Sequence, residues 1–125
     1  MRTSPRKRNL KHITFYDMDL QTKITLIPRL LVALLLGILI GIDREIHGHD
    51  AGIRTYASVC LGAALLTIIN THTEMADQTR IVANIVSGIG FLGAGIIFRD
   101  SSKNTISGLT TAATIWASAG VGIAI

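Results

Sequence analysis

The run Ile81-Val82-Ala83-Asn84-Ile85-Val86-Ser87-Gly88-Ile89-Gly90-Phe91-Leu92-Gly93-Ala94-Gly95-Ile96-Ile97-Phe98 holds eighteen residues without a charge, with Asn84 and Ser87 as its polar members. As a helix rising about 1.5 Å per residue it is roughly 27 Å long, close to the hydrocarbon thickness of a bilayer. It is too long for a strand and does not alternate polar with apolar residues as a membrane barrel would. The run predicts a membrane-spanning helix.

Three further apolar segments lie at 24–42, 55–69 and 106–125. The first is interrupted by Thr25, Pro28 and Arg29, and the other two carry no charge. The segment at 55–69 is short for a span and needs local thinning of the bilayer or help from its flanks. The expected fold is therefore all-α: a polytopic membrane helix bundle of about four transmembrane helices, spans near 24–42, 55–69, 81–98 and 106–125. These form one transmembrane domain, 24–125, behind a basic N-terminal tail, 1–23. Composition agrees, with 49% hydrophobic and 16% charged residues, where a soluble domain carries about 25% charged.

The net charge of +4 is uneven. Arg2, Arg6, Lys7, Arg8, Lys11, Lys23 and Arg29 precede the long apolar part of the first segment, and only Asp17 and Asp19 oppose them. The basicity belongs to a tail, and a short run such as Arg6-Lys7-Arg8 beside a membrane meets anionic headgroups rather than nucleic acid. No small-x-small cleavage site follows the first segment, which leads into Asp43-Arg44-Glu45, so a retained signal-anchor helix is expected. Pro28 suits its first turn, and Arg29 can snorkel. Basic residues counted over the whole chain put the N-terminus in the cytoplasm, whereas the loops alone favour the reverse. Cys60 is the single cysteine, which rules out an intramolecular disulfide and a Cys-based metal site.

Small residues recur four apart: Gly37 and Gly41, Ser58 and Gly62, Gly90 and Ala94, Ala113 and Ala117, Ser118 and Gly122. Such pairs let helix backbones approach closely, which replaces the hydrophobic force missing in lipid. Gly37, Gly41, Gly88, Gly90, Gly93 and Gly95 are the expected helix-packing glycines. Gly88-Ile89-Gly90-Phe91-Leu92-Gly93 matches a dinucleotide fingerprint by letter, but it lies inside an apolar run, and no acid stands about twenty residues on. The glycine cluster fits either a straight, tightly packed helix or one unwound to line a cavity.

Asp43, Arg44 and Glu45 close the first helix and Arg54 opens the second. Alternating in sign, they can neutralise one another at the membrane edge, or they can mark an ion path or a partner site. His47, His49 and Asp50 have the chemistry of a divalent-metal set, although their spacing on a short loop suits solvated residues, and neither metal nor cofactor is expected. Asn84 should face another helix or a water-filled cavity. Arg80 and Arg99 bracket the third helix and should snorkel to opposite interfaces. Trp116, mid-segment, is expected to pack, and Thr110, Thr111 and Thr114 can return hydrogen bonds to helix carbonyls. No nucleophile-and-base grouping is present, so no enzyme is expected.

Gly41-Ile42-Asp43-Arg44-Glu45, Ala51-Gly52-Ile53-Arg54-Thr55, Gly62-Ala63-Ala64, Arg80-Ile81-Val82-Ala83, Ile85 through Gly95, and Gly108 through Trp116 follow one another in an order that resembles the MgtC/SapB family of membrane proteins. The resemblance covers the chain from about Leu30 onward. It implies a multi-pass protein of the bacterial cytoplasmic (inner) membrane with a regulatory or accessory role in adaptation to magnesium limitation, linked in pathogens to survival inside host cells. The alternative is an ion transport or channel subunit for Mg²⁺ or a monovalent cation. The implied partners are the lipid bilayer, other membrane proteins and a second copy of the chain. Asp43 departs from the family's usual Glu, Asn84 from a Gln, and Ser107 from an Arg. A fifth helix and a C-terminal soluble domain do not follow Ile125, so a short form is expected. The family arrangement puts the loops 43–54 and 99–105 in the cytoplasm, in agreement with the loop-only count.

Overall fold

The structure is a computed structural model, and it describes residues 20–72, 78–100 and 105–125. Most of the basic tail, residues 1–19, lies outside the described residues. Helix α1 runs Leu20–Ile46, α2 Ile53–His72, α3 Gln78–Ile96 and α4 Leu109–Ala124; between the last two a hairpin pairs β1, Phe98–Asp100, with β2, Thr105–Ser107. The protein is an all-α membrane helix bundle. The segments Ile24–Ile46, Ile53–Thr71 and Thr79–Ile96 are long and apolar enough to cross a membrane, and α4 is a shorter apolar helix of 16 residues, about 24 Å long.

Several boundaries correct the sequence expectations: α2 extends beyond 55–69 and is not short for a span, and Phe98, expected in the third span, belongs to β1. Pro28 is not in a first turn, because α1 begins at Leu20 and places it well inside the helix. Its missing N–H leaves the carbonyl of Ile24 without the usual helical donor. The fourth span does not begin at 106. Ile106 and Ser107 belong to β2, where Phe98 pairs with Ser107, Arg99 with Ile106 and Asp100 with Thr105. Gly108 then turns the chain at φ +82° into α4, and the Ala112 N–H donates to the Gly108 carbonyl at 2.9 Å.

Helices α1 and α2 meet backbone to backbone. A Cβ built at Gly37 would lie 2.7 Å from both Ala57 Cα and Tyr56 O, and one at Gly41 would collide with Ile53 Cα. Ala33, Gly37 and Gly41 form the buried stripe of α1, while Leu31, Leu35 and Leu39 point away from the bundle. In lipid that exposure is compatible with stability, and the close glycine stripe supplies dense van der Waals contact. Helix α2 turns a second face to α4. There a Cβ at Gly122 would collide with the Cys60 carbonyl, and Cys60 Sγ donates to Ser118 O at 3.0 Å. Helix α3 packs mainly on α4 and only lightly on α2, which leaves the α2–α3 flank open.

Candidate functional site

The polar end of the bundle is built by two helix termini. Helix α1 closes in a Schellman turn: the Gly48 N–H donates to Glu45 O and the His49 N–H to Arg44 O, both at 3.1 Å, with Gly48 at φ +68°. Glycine takes that left-handed conformation without steric cost. His47 Nδ1–H donates to Asp43 O at 2.6 Å and His49 Nδ1–H to Arg44 O at 3.2 Å. A carbonyl only accepts, so these contacts place the proton on Nδ1 of each ring. Both imidazoles are thus helix caps. Among the described residues no three His, Cys, Asp or Glu side chains gather as metal ligands.

Helix α2 opens after Gly52, which has no side chain to cap it. Glu45 does so from the preceding helix, its Oε2 accepting the Ile53 N–H at 3.0 Å. A Cβ at Gly52 would stand 2.6 Å from that oxygen, so the glycine makes room for the carboxylate. Glu45→Ala should therefore destabilise the fold by about 1 kcal/mol, the usual worth of an N-cap acceptor. Glu45→Gln, which keeps an acceptor, should lose less than half of that. Denaturant titration of the three proteins in mixed micelles measures the difference, and equal midpoints would remove the cap from the account.

The alternating charges do not neutralise one another. Among the described residues no ion pair within 4.0 Å joins Asp43 or Glu45 to Arg44 or Arg54. The reason is helical direction. Asp43 and Arg54 are exposed, Glu45 reaches across to α2, and Arg44 turns partly into the bundle on the face of Gly37 and Gly41. Arg44 Nε and Nη2 are buried without a hydrogen-bond partner among the described residues, as is the hydroxyl of the fully buried Tyr56. The spacing of Arg44 three residues after Gly41 signals its inward face, whereas nothing local marks Tyr56.

Asn84 lies elsewhere. It lines an open groove of about 600 Å³ on the α2–α3 flank with Ser58, Gly62 and Gly88, between walls that include Leu66 and Leu92. Neither Asp43 nor Arg54 borders this groove, so those charges do not meet Asn84 there. Helix α3 is continuous through its glycines, and the unwound form is not observed. A Cβ built at Gly93 would lie 3.6 Å from Ala112 Cβ, but Cβ atoms at Gly88, Gly90 or Gly95 would meet nothing within 4 Å. Those three glycines do not pack within the described chain, because only one face of α3 turns toward α4. Arg80 is exposed in the first turn of α3 and Arg99 sits on β1, so the two mark opposite ends of that helix. Trp116, expected to pack, is 56% exposed on the outer face of α4. Thr114 donates to Thr110 O at 2.7 Å, a bond internal to the helix.

Comparison with known proteins adds ancestry to this geometry. The profile of the MgtC family matches residues 30–125. The protein MgtC of Salmonella typhimurium is 50% identical over 97 residues, covering 78% of this chain and 41% of the relative. The protein SapB of Bacillus subtilis is 39% identical over 102 residues, covering 74% of this chain and 44% of the relative. A protein of Synechocystis is 48% identical over 95 residues, covering 75% and 40%. The chain thus spans about two-fifths of the length of these curated relatives. No solved structure matches it.

Proposed function

The chain belongs to the MgtC family of membrane proteins, and from that premise we propose that it is a multi-pass protein of the bacterial inner membrane with a regulatory or accessory role in adaptation to magnesium limitation. It acts by contact with another membrane protein rather than by catalysis. The observation that carries this is the α2–α3 groove: small residues Ser58, Gly62 and Gly88 line it, and Asn84 supplies an amide on a mostly apolar flank. Small residues admit a neighbouring helix closely, and an amide in lipid gains most by bonding across to one, at about 0.6 to 2 kcal/mol.

Growth in a strain lacking its family member tests the proposal. The chain should restore growth under low Mg²⁺, and Asn84→Leu should lose most of that rescue while reaching the membrane at the parent level. A photo-reactive residue at Ser58 should then crosslink a discrete membrane protein in the rescued cells. Full rescue by Asn84→Leu, or crosslinks only to lipid, would count against contact through the groove. Ion conduction is not favoured, because no carboxylate stands among the groove's lining residues and Asp43 and Arg54 lie outside it. Reconstituted vesicles should show no more Mg²⁺ flux than empty ones.

A further inference from the structure

Arg44 poses a problem of charge that the fold does not solve by itself. Its guanidinium is a cation with N–H donors and no acceptor. Two of its nitrogens, Nε and Nη2, are buried with no acceptor among the described residues. A cation with two donors withdrawn from water in this way gains from a paired anion. The two carboxylates beside it in sequence are directed elsewhere: Glu45 accepts from Ile53 N, and the exposed Asp43 stands 3.5 Å from His47 Nδ1. Tyr56 is 0% exposed, and its hydroxyl is a second buried donor without a partner among the described residues.

The packing of α1 on α2 relates the two groups. Gly41 lies on Ile53 and Gly37 on Tyr56 and Ala57, so the helices run antiparallel at this end. Ile40, one turn before Arg44, packs against the cluster of Ala51, Tyr56 and Ile115. Long side chains on a helix lean toward its N-terminus. In antiparallel helices that inclination carries the head of Arg44 and the ring of Tyr56 toward the same level, near the Gly41–Ile53 contact.

We propose that Arg44 and Tyr56 form a binding site for a phosphate-class anion where α1 closes and α2 opens. A guanidinium presents parallel N–H donors that match two phosphate oxygens, and a phenolic O–H can serve a third. This site stands apart from the α2–α3 groove and does not depend on the regulatory role. Its anion comes from one of two sources with the same chemistry, the headgroup of an anionic phospholipid or free inorganic phosphate.

The full chain, labelled with ¹⁵N and held in a phosphate-free maltoside micelle, decides it. The Arg44 Nε–H resonance, assigned by its disappearance in Arg44→Lys, should shift saturably on adding phosphatidylglycerol or inorganic phosphate and not on adding chloride. A shift with phosphatidylglycerol alone identifies a lipid headgroup, and a shift with inorganic phosphate identifies the free anion. Tyr56→Phe and Arg44→Lys, compared at the helicity of the parent, should each weaken the apparent affinity at least about fivefold, as expected for losing a bond to a charged group; for Arg44→Lys the readout is the backbone amide of Ala51. Absence of a saturable shift with both additions, or undiminished affinity in either variant, overturns the site.

Discussion

Gly41→Val should separate α1 from α2 and destabilise the bundle by about 3 kcal/mol or more, at the upper end of what overpacking costs. A Cβ at Gly41 would collide with Ile53 Cα and stand 2.9 Å from Ile53 N and 3.3 Å from Gly52 C. All three are backbone atoms at the start of a helix, so no flexible side-chain end can move aside. The displacement would also pull Ile53 from the Glu45 carboxylate that caps α2. Gly90→Val is the matched control. It places the same side chain in a helix where nothing lies within 4 Å, and it should change stability by about 0.5 kcal/mol, as surface substitutions do. Reversible unfolding in mixed micelles measures both. Equal stability of the two variants would mean that α1 and α2 do not meet through their backbones.

That contrast also shows how far the sequence speaks. Gly37 with Gly41 and Gly90 with Ala94 share the same four-residue spacing, yet a Cβ at Gly37 or Gly41 would strike α2 whereas one at Gly90 would meet nothing within 4 Å. Spacing states that a backbone can be approached and is silent on what approaches it. The helices were legible because long apolar runs have few other structures open to them in a membrane, although α2 reads as a short span at 55–69 and runs Ile53–His72. The hairpin was not. Ile106 is as apolar as the helix that follows, and a uniformly apolar stretch lacks the periodicity that tells strand from helix.

The site divides in the same way. Gly48 announces the end of α1 by its local chemistry, as helix-terminal glycines do. The cap from Glu45 to Ile53 spans eight residues between two helices, and no local pattern encodes it. Asp43, Arg44, Glu45 and Arg54 were recognisable as a polar helix end. Their separate fates follow from which face each occupies, and that is set by the Gly37–Gly41 contact with α2. The separation of Asn84 from those charges follows from the light packing of α3 on α2, a tertiary outcome with no local signature.

Gly108→Val should cost the bundle about as much as Gly41→Val, for two reasons that a series of variants can separate. Gly108 has φ +82°, a region in which a β-branched residue is strained by about 1 to 3 kcal/mol. Its Cβ would also collide with the Ile96 carbonyl oxygen and lie 3.0 Å from Ile96 C and 3.2 Å from Ile96 Cγ2. Asparagine tolerates the left-handed region far better than valine, so Gly108→Asn would recover most of the loss if backbone strain dominated. Both substitutions nevertheless put a Cβ against the end of α3, and overpacking against backbone costs about 1 to 3 kcal/mol by itself. Gly108→Asn is therefore expected to remain at least about 1 kcal/mol below the parent, with Gly108→Val lowest and Gly108→Ala between them. The same variants should speed amide exchange at Arg99 and Ile106, which pair across the hairpin, and at Ala112, which donates to Gly108 O. Parent-like stability of Gly108→Asn would show that conformation alone selects glycine there. A persistent loss with faster exchange would show that the close approach to Ile96 is what turns the chain from α3 through the hairpin into α4.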